Sequence, residues 1–403
     1  MANKPRIRFK GFTKDWEQRK LGEFVKIVSG DAPSTFISGN CIYVKVDDLN
    51  YSDRIQLSSS NLVNANPKAH LVNQGATIFP KRGAAIMTNK VRIMGQDGYL
   101  DTNMMALIPE EIDKDFLFTF IQKTGLYKIA DTSTIPQINN KHIEPYMIQV
   151  PSEKEQAYIG VVFEKIDKII TLHQCKLEKL KLTKKALLQK LFPKNGKHMP
   201  EIRFKGFTDA WEQRKLISLY KTIRNAFVGT ATPYYTNDSI NGYFYLESNN
   251  VKNGKINRNN EIYITKDFYQ KQEDKLLYKD DIVIVQSGHV GHTAVIPEEL
   301  DKTAAHALIM LQNKKENFDS HFINNSFQTP LIRNKIDEIT TGNTIKHILA
   351  SDVKNIVINM PSFKEQKLIS QLFKLLDLNI TLHQRKLERL QEVKKGLLQK
   401  MFV

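Results

Sequence analysis

Two polar segments, each placed directly after a run of apolar residues, carry side chains that suit the edges of nucleic-acid bases. These side chains belong to Lys81, Arg82, Gln286, Ser287 and His289. Arginine and lysine are suited to guanine edges, whereas glutamine and asparagine are suited to adenine edges. A polar loop after a strand is most often only a loop, so each residue taken alone is a weak indication of base reading.

Further residues of the same kind are spread over the regions that surround these segments. They are Lys90, Arg92, Gln137, Asn139, Asn140, Asn249, Asn250, Asn343 and Lys346. Several of them lie in two polar turns, at residues 132–140 and 340–347. Together with the first five residues they form the set of candidate DNA contacts.

The charge of the chain favours a polyanionic partner. The formal net charge is +16 and the isoelectric point is about 9.5, and a basic protein of this size commonly binds nucleic acid. Residues 152–198 carry a net +6 and residues 362–403 a net +5. A lysine-rich face of a solvated helix is an ordinary origin of such charge, so the distribution alone does not identify a DNA-binding surface.

The sequence lacks the motifs that a DNA-modifying enzyme needs. It contains no GxxxxGK[ST] phosphate loop for a motor and no Asn-Pro-Pro-Tyr tetrapeptide for holding a flipped adenine. The pair Asp280-Asp281 resembles the start of a metal-dependent nuclease site, but Gln286 supplies no charge where a carboxylate is needed. We therefore expect no catalytic residue, metal or cofactor in this chain.

The cysteines and the first residues indicate the compartment. Cys41 and Cys175 lie far apart without paired spacing, which is typical of a reducing cytoplasm and gives no thiolate zinc site. No apolar run approaches the ~18 residues of a membrane span, and the N-terminal charges are not followed by the apolar core of a secretory signal. We expect a cytoplasmic protein that does not bind membranes.

Two segments of the chain are repeated, with different offsets. Residues 5–21 recur as 200–216 with 14 of 17 positions identical, and residues 151–192 recur as 361–402 with 24 of 42 positions identical. The stretches between them, 22–134 and 217–344, do not align, and the second is longer by 15 residues. A duplicated chain has thus kept its frame and let two bodies diverge, which is typical of bodies that carry specificity.

The second repeat predicts two long amphipathic helices, because apolar residues recur in steps of three and four. The predicted buried face consists of Ile159, Ile166, Leu177, Leu180 and Leu187 in the first helix, and of Ile369, Leu376, Leu387, Leu390 and Leu397 in the second. Such a stripe needs a partner, and the other helix is the obvious one. An antiparallel pair brings the first and last residues of the chain near each other.

The helix starts and the helix centres carry further signals. Ser152 and Ser362 are predicted N-caps, with Glu155 and Glu365 as their capping-box partners. A position that breaks the apolar pattern holds a histidine, at 173 and again at 383. In an unstaggered antiparallel pair the two rings meet, and an ordinary hydrogen bond between them is far more common than a metal site.

Both bodies contain short strand-like runs followed by a helical stretch. The predicted strands are Cys41–Val46, Ala76–Pro80, Met104–Ile108, Tyr243–Leu246, Asp281–Val285 and Ala307–Leu311, and the predicted helices are Phe116–Ile129 and Phe318–Ile339. The expected fold is α+β, with two α/β bodies joined by two long antiparallel coiled-coil helices and an internal pseudo-twofold repeat. The expected segments are 1–21, 22–150, 151–193, 194–216, 217–360 and 361–403.

The repeated motifs resemble those of the specificity (S) subunit of a Type I restriction–modification system. They are the twice-used IRFKGFT-x-x-WEQRKL segment, the PS-x-KEQ helix starts and the KK-x-LLQK-x-F helix ends. The resemblance implies that the bodies are target recognition domains, each reading one half of a bipartite, asymmetric site in double-stranded DNA. It also implies that the long helices set the gap between the halves.

The same resemblance implies partners that carry the chemistry. Two adenine-methylating modification (M) subunits dock on such a subunit, and restriction (R) subunits join them to make an ATP-dependent nuclease. S-adenosylmethionine, ATP and magnesium are then expected in those partners. Two other readings are a self-sufficient methyltransferase or nuclease, which needs the missing motifs, and a coiled-coil adaptor that binds only proteins, which the divergent bodies and basic charge disfavour.

Overall fold

The computed structural model describes residues 4–51, 53–131, 134–194, 196–342 and 346–403. Its contacts divide the chain into two compact units. Unit 1 contains the residues up to Leu177 together with His383–Val403, and unit 2 contains Glu178–Leu382. Each unit therefore holds one body, the start of one long helix and the end of the other.

Unit 1 is built from short strands, two short α-helices, the first part of one long helix and the end of the other. The strands are β1 (Glu17–Lys20), β2 (Val25–Ser29), β3 (Ser38–Val44), β4 (Ile55–Gln56), β5 (Leu62–Val63), β6 (Thr77–Pro80), β7 (Arg92–Met94), β8 (Gly98–Leu100), β9 (Met104–Pro109) and β10 (Met147–Val150). The helices are α1 (Lys114–Thr124), α2 (Asn140–Ile143) and α3 (Glu153–Lys190), of which the last continues into unit 2.

Unit 2 repeats this plan with additional small elements. The strands are β11 (Glu212–Lys215), β12 (Tyr220–Asn225), β13 (Tyr235–Thr236), β14 (Tyr243–Leu246), β15 (Val251–Lys252), β16 (Lys255–Ile256), β17 (Ile262–Ile264), β18 (Ile282–Val285), β19 (Thr293–Val295), β20 (Ala304–Ala305), β21 (Leu308–Lys314) and β22 (Val357–Met360). The helices are α4 (Leu216–Leu219), α5 (Lys266–Gln270), α6 (Ser320–Ser326), α7 (Pro330–Ile339), α8 (Ala350–Val353) and α9 (Phe363–Met401).

The two bodies share one topology although their sequences do not align. The central sheet has the strand order β2-β9-β6-β7-β4 in unit 1 and β12-β21-β18-β19 in unit 2. A second sheet pairs β3 antiparallel to β5 and parallel to β8, and its counterpart pairs β14 antiparallel to β17 and parallel to β20. The bodies are therefore two copies of one α+β fold, as the duplication of their flanks predicts.

The predicted strands are confirmed, with small shifts at their ends. The observed strands are β3, β6, β9, β14, β18 and β21. Both predicted body helices are wrong in extent. The first ends at Thr124 because Gly125 takes a φ of +85°. The second is two helices, since Pro330 excludes its predecessor from helical geometry and Thr329 caps α7 instead, accepting from the main-chain N–H of Ile332.

The long helices run antiparallel within each unit, and their ends are buried in the body cores. In unit 1 the start of α3 contributes Ile159 and Phe163 to one core cluster, to which the end of α9 adds Met401 and Phe402. Trp16 of the repeated N-terminal segment packs edge-on against Phe402, with ring centroids 6.2 Å apart. The body, the helix start and the other helix's end thus share a single core.

Unit 2 shows the same arrangement with the roles of the helices exchanged. Ile369 and Phe373 of α9 share a cluster with Leu188 of α3 and with Phe192 just beyond its end. Trp211 packs edge-on against Phe192 at 6.0 Å, as Trp16 does against Phe402. The repeated tryptophan therefore marks the junction of helix end and body in both units.

The residues predicted for the buried helix face are either buried or half-buried. The buried ones are Ile159, Leu177, Ile369 and Leu387, and the half-buried ones are Ile166, Leu180, Leu187, Leu376, Leu390 and Leu397. Phe163 and Phe373, which the prediction omitted, are more deeply buried than most of these. Their occurrence at the same position of both repeats is the signal that would have identified them.

The two histidines meet as expected, in unit 1. The Nδ1 atoms of His173 and His383 lie 2.8 Å apart, and the ring centroids are 5.0 Å apart. One ring must donate and the other accept, so the accepting ring is neutral. Burial, aided by the charges of Lys386 and His383, lowers the pKa of His173 and favours the neutral form. The structure therefore shows the two rings in hydrogen-bond contact.

A buried ion pair fixes the repeated N-terminal segment to the start of the long helix in each unit. Arg8 donates from Nε and Nη2 to the two carboxylate oxygens of Glu155 at 2.6 and 2.7 Å, and Arg203 binds Glu365 at 2.8 and 2.9 Å. Both glutamates are fully buried. The capping-box prediction is therefore wrong for their side chains, because the carboxylates are taken by the arginines.

The main chain adds to this junction. The amide of Ile7 donates to the carbonyl of Lys400 at 2.9 Å, and the amide of Ile202 donates to the carbonyl of Lys190 at 2.9 Å. In unit 2 these partners are joined by a short linker, whereas in unit 1 they come from opposite ends of the sequence. The described residues near the two ends of the sequence are therefore in contact, as expected.

We predict that Arg8→Met lowers the free energy of unfolding of unit 1 by about 3–5 kcal/mol, because it leaves the Glu155 carboxylate buried without its partner. Chemical denaturation, with hydrogen exchange of the α3 amides as the local probe, measures the loss. Lys4→Met is the control, since the Lys4–Asp15 pair is exposed and is expected to contribute little. Equal stability of Arg8→Met and the wild type would contradict the role assigned to the ion pair.

Candidate DNA-reading loops

In unit 1 the structure brings together two polar segments that lie far apart in the sequence. Residues 81–83 follow β6 and pair with residues 136–138: the amide of Gly83 donates to the carbonyl of Pro136, and that of Ile138 to the carbonyl of Lys81, both at 2.8 Å. Arg82 and Gln137 oppose each other in this pairing. We call residues 81–83 and 136–138 the first loop pair.

Unit 2 contains the counterpart. Residues 286–288 follow β18 and pair with residues 346–348: the amide of Ile348 donates to the carbonyl of Gln286 at 3.0 Å, and that of Gly288 to the carbonyl of Lys346 at 3.2 Å. Ser287 and His347 oppose each other. We call residues 286–288 and 346–348 the second loop pair.

A glycine makes the turn in both loop pairs. Gly83 has a φ of +75° and Gly288 a φ of +76°, and open space surrounds the position where a side chain would begin. This backbone conformation suits glycine because it has no Cβ. The two loop pairs are therefore structurally equivalent, and Lys81-Arg82 in unit 1 occupies the place of Gln286-Ser287 in unit 2.

The candidate contacts differ widely in exposure. The exposed ones are Arg82, Asn140, Asn249, His289 and Lys346, and the half-buried ones are Lys81, Lys90, Arg92, Gln137, Asn139, Gln286 and Ser287. Asn343 lies outside the described residues. Of the exposed candidates, Arg82 and Lys346 belong to the loop pairs.

Several candidates have structural partners within the body. Asn250 is buried, and its side-chain amide donates to the main-chain carbonyls of Asn257 and Asn260 at 3.1 and 3.2 Å. Arg92 donates to the carbonyls of Val91 and Leu49 at 2.8 and 2.6 Å. These two side chains hold main-chain segments of their own body in place.

Weaker structural engagements occur at other candidates. Lys90 binds the side-chain oxygen of Asn50. The side-chain amide of Gln137 donates to the side-chain oxygen of Asn139 at 3.0 Å. This hydrogen bond orders the residues next to the first loop pair. Burial is the main cause that lowers the pKa of Lys81, and the carboxylate of Asp101 opposes that shift in part. A nearby anion would stabilise the charged form of this lysine.

His347 is a residue of the second loop pair that the sequence alone does not single out. It is exposed, opposes Ser287 in the second loop pair, and lies with its Nε2 atom 3.2 Å from the hydroxyl oxygen of Thr341. The polar turn at 340–347 was recognised, but only pairing with the distant loop distinguishes this histidine from its neighbours.

Among the residues that the structure describes, no group of three or more His, Cys, Asp and Glu side chains is placed to hold a metal ion. Nor does any described helix combine the length and apolarity needed to span a membrane.

Comparisons with known proteins agree on one family. The model of the Type I restriction modification DNA specificity domain matches the chain twice, at residues 13–182 and 209–392. The Type I restriction enzyme MjaVIII specificity subunit of Methanocaldococcus jannaschii is 23% identical over 405 residues, covering 95% of this chain and 91% of that protein. The StySPI specificity subunit of Salmonella potsdam is 28% identical over 156 residues, covering 37% of this chain and 33% of that protein.

Solved structures show the same fold. The S subunit of the Type I restriction–modification system of M. genitalium superposes with a TM-score of 0.65 at 13% identity, covering 99% of each chain. A chain from a study of complex assembly and conformational transition of the type I R-M system superposes with a TM-score of 0.52 at 15% identity, covering 97% of this chain and 98% of that one.

We predict that Arg92→Ala lowers the free energy of unfolding of unit 1 by about 1.5–3 kcal/mol, the usual range for hydrogen bonds from a charged donor. Arg82→Ala is the matched control, because its side chain is exposed, and it is expected to leave stability unchanged. Denaturant melts of the two variants decide between the roles. An unchanged midpoint for Arg92→Ala would mean that its contacts with Val91 and Leu49 do not hold the body together.

Proposed function

This chain belongs to the family of Type I restriction–modification specificity subunits, and we propose that it recognises DNA for a complex whose other subunits carry out the reactions. Each body reads one half of a bipartite, asymmetric site. Adenine methylation and ATP-dependent cleavage are assigned to modification and restriction subunits. S-adenosylmethionine, ATP and magnesium are accordingly assigned to those partners and not to this chain.

The two loop pairs are the observation that carries the proposal. They occupy the same place in two bodies of the same topology, yet one presents Lys81 and Arg82 where the other presents Gln286 and Ser287. Arginine is suited to guanine, whereas glutamine is suited to adenine. Equal positions with different chemistry are what the reading of two different half-sites requires.

The candidate contacts divide into base readers and backbone contacts. We assign base reading to Arg82, Gln137, Gln286, Ser287 and His289, and phosphate contact to Lys81 and Lys346. Asn139, Asn140 and Asn249 border the loop pairs or lie in exposed turns and complete the proposed surface. The structural partners of Arg92 and Asn250 favour a supporting role for both, and Lys90 is engaged with Asn50.

A repeated apolar surface on the long helices suits a partner that docks twice. Tyr158 and Leu172 of α3 are 57% and 67% exposed, and their counterparts Leu368 and Leu382 of α9 are 36% and 53% exposed. The residues of each pair are 14 positions apart and therefore lie on one helix face. We assign this surface, twice present, to two copies of the methylating subunit, and we assign to the helices the setting of the gap between half-sites.

We predict that replacing residues 22–134 with the corresponding body of a relative changes only one half of the methylated site. The reason is that Lys81 and Arg82 of the first loop pair lie inside the exchanged segment and Gln137 lies just beyond it, while unit 2 stays intact. Methylome sequencing of cells that produce the swapped chain with its methylating partner reports both halves and the modified base in each.

The reciprocal exchange of residues 217–344 is the matched control and should change the other half. Loss of methylation at all sites, with the complex still assembled, would contradict independent reading by two bodies. A simultaneous change of both halves after either exchange would contradict it as well.

We further predict that Leu172→Asp and Leu382→Asp each remove one copy of the methylating subunit, because a charge in an apolar contact is costly to bury. Native mass spectrometry of the co-purified complex counts the copies. Each variant serves as the control for the other, and the double variant should retain neither copy. An unchanged stoichiometry in the double variant would exclude this surface as the docking site.

A further inference from the structure

An aspartate on the long helix receives two cations in unit 1. The carboxylate of Asp167 on α3 lies 2.6 Å from Nη1 of Arg54, which belongs to the loop between β3 and β4, and 2.6 Å from Nζ of Lys394 on α9. The other amino group of Arg54 binds Asp115 at 2.7 Å, and its guanidinium lies over the ring of Phe118 at 4.3 Å. The side chains of Arg54 and Asp167 are 7% and 11% exposed.

Unit 2 contains the equivalent cluster. Asp377 on α9, which is the counterpart of Asp167 in the repeat, binds Nζ of Lys184 on α3 with both oxygens at 2.9 Å. Lys255, from the β15–β16 hairpin of the body, approaches the same carboxylate at 3.2 Å. Lys184 is the counterpart of Lys394, so the helix part of the cluster is duplicated.

A threonine one turn further along each helix contacts the same part of the body. Thr171 donates its hydroxyl to the carboxylate of Asp53 at 2.9 Å, and Lys255 donates to the hydroxyl of Thr381 at 3.3 Å. Residues four apart share a helix face. The pattern Asp-x-x-x-Thr therefore presents one polar surface to the body, once on each long helix.

The basic side chains that the bodies contribute, Arg54 and Lys255, are not needed only to neutralise the aspartates of the helix pair. One lysine already neutralises each helix aspartate, and Lys394 and Lys184 supply it in both units. The bodies have no alignable sequence, yet each places a basic side chain on this carboxylate from the region that follows its corresponding strand, β3 or β14. Because this contact is present in two bodies whose sequences have diverged, it indicates that each body needs the contact with the helix aspartate.

We infer that Asp167 and Asp377 are positioning residues that hold each recognition body in one orientation on the helix pair. A body that is held by its core alone can rock about the helix, whereas the ion pair adds a second, polar point of attachment. The orientation of the loop pairs, and with it the gap that separates the half-sites, depends on these two carboxylates. The inference rests on the proposed function, since it assigns a role in DNA recognition.

The test uses the complex with its methylating partner and a DNA duplex carrying the site found by methylome sequencing with the wild-type chain. Two further duplexes have a gap one base pair shorter or longer. Asp167→Asn and Asp377→Asn are each expected to weaken binding to the cognate duplex at least tenfold. Each is also expected to reduce the discrimination between cognate and altered gaps by a similar factor, while both half-site sequences stay unchanged.

Substitutions of Lys255 are expected to leave folding intact, because this side chain is 42% exposed. Lys255→Met should reduce gap discrimination, Lys255→Arg should restore it, and Lys252→Met on the same hairpin should match the wild type. If Asp167→Asn fails to fold, the Lys255 and Asp377 variants decide the question. Unchanged gap discrimination in Lys255→Met and Asp377→Asn would overturn the inference.

The wild-type arm separates the two possible failures. A wild-type complex that does not prefer its own site over altered gaps or half-sites contradicts the proposed function itself. A wild-type complex that discriminates, together with variants that discriminate equally well, contradicts only the positioning role of the two aspartates.

Discussion

The apolar stripe of the two long helices is the constraint from which the rest of the structure follows. Helices of 38 and 39 residues cannot leave such a stripe in water, and each covers it with the other helix and with a body. Phe163 and Phe402 join one core, and Phe373 and Phe192 join the other. Because a helix start and a helix end meet in each core, neither body is complete without both helices.

This arrangement explains which parts of the duplicated chain stayed alike. Trp16, Trp211, Glu155 and Glu365 are buried, as are Phe402 and Phe192 at the helix ends, and the arginines that bind the two glutamates are half-buried. A change on one side of a buried ion pair leaves an uncompensated charge, so such residues do not vary singly. The bodies face a looser requirement. They must keep the strand order and a docking contact, which many sequences satisfy.

The sequence predicted the secondary-structure elements better than the contacts between them. The apolar patterns identified the long helices and six of the strands, but not β2 and β12, and the repeats identified the antiparallel histidine contact. The apolar pattern failed at Pro330 and Gly125, where a single residue interrupts a helix that the pattern would continue. Composition suggested that Asn250 reads bases, but the structure buries it, because a side chain suited to base edges is also suited to main-chain carbonyls. The loop pairs were beyond prediction, since pairing of 81–83 with 136–138 depends on the folded sheet.

The structure separates the residues that hold the bodies from those proposed to read DNA. The holding contacts are mostly buried, charged and duplicated, whereas the loop pairs are exposed in part and differ between the units. Each loop pair is tied by two main-chain hydrogen bonds, which do not depend on side-chain identity. Arg82 or Ser287 can therefore be exchanged for another residue without losing the loop's geometry. Recognition can change at these positions at little cost in stability, provided that the glycine of the turn and the docking of the body remain.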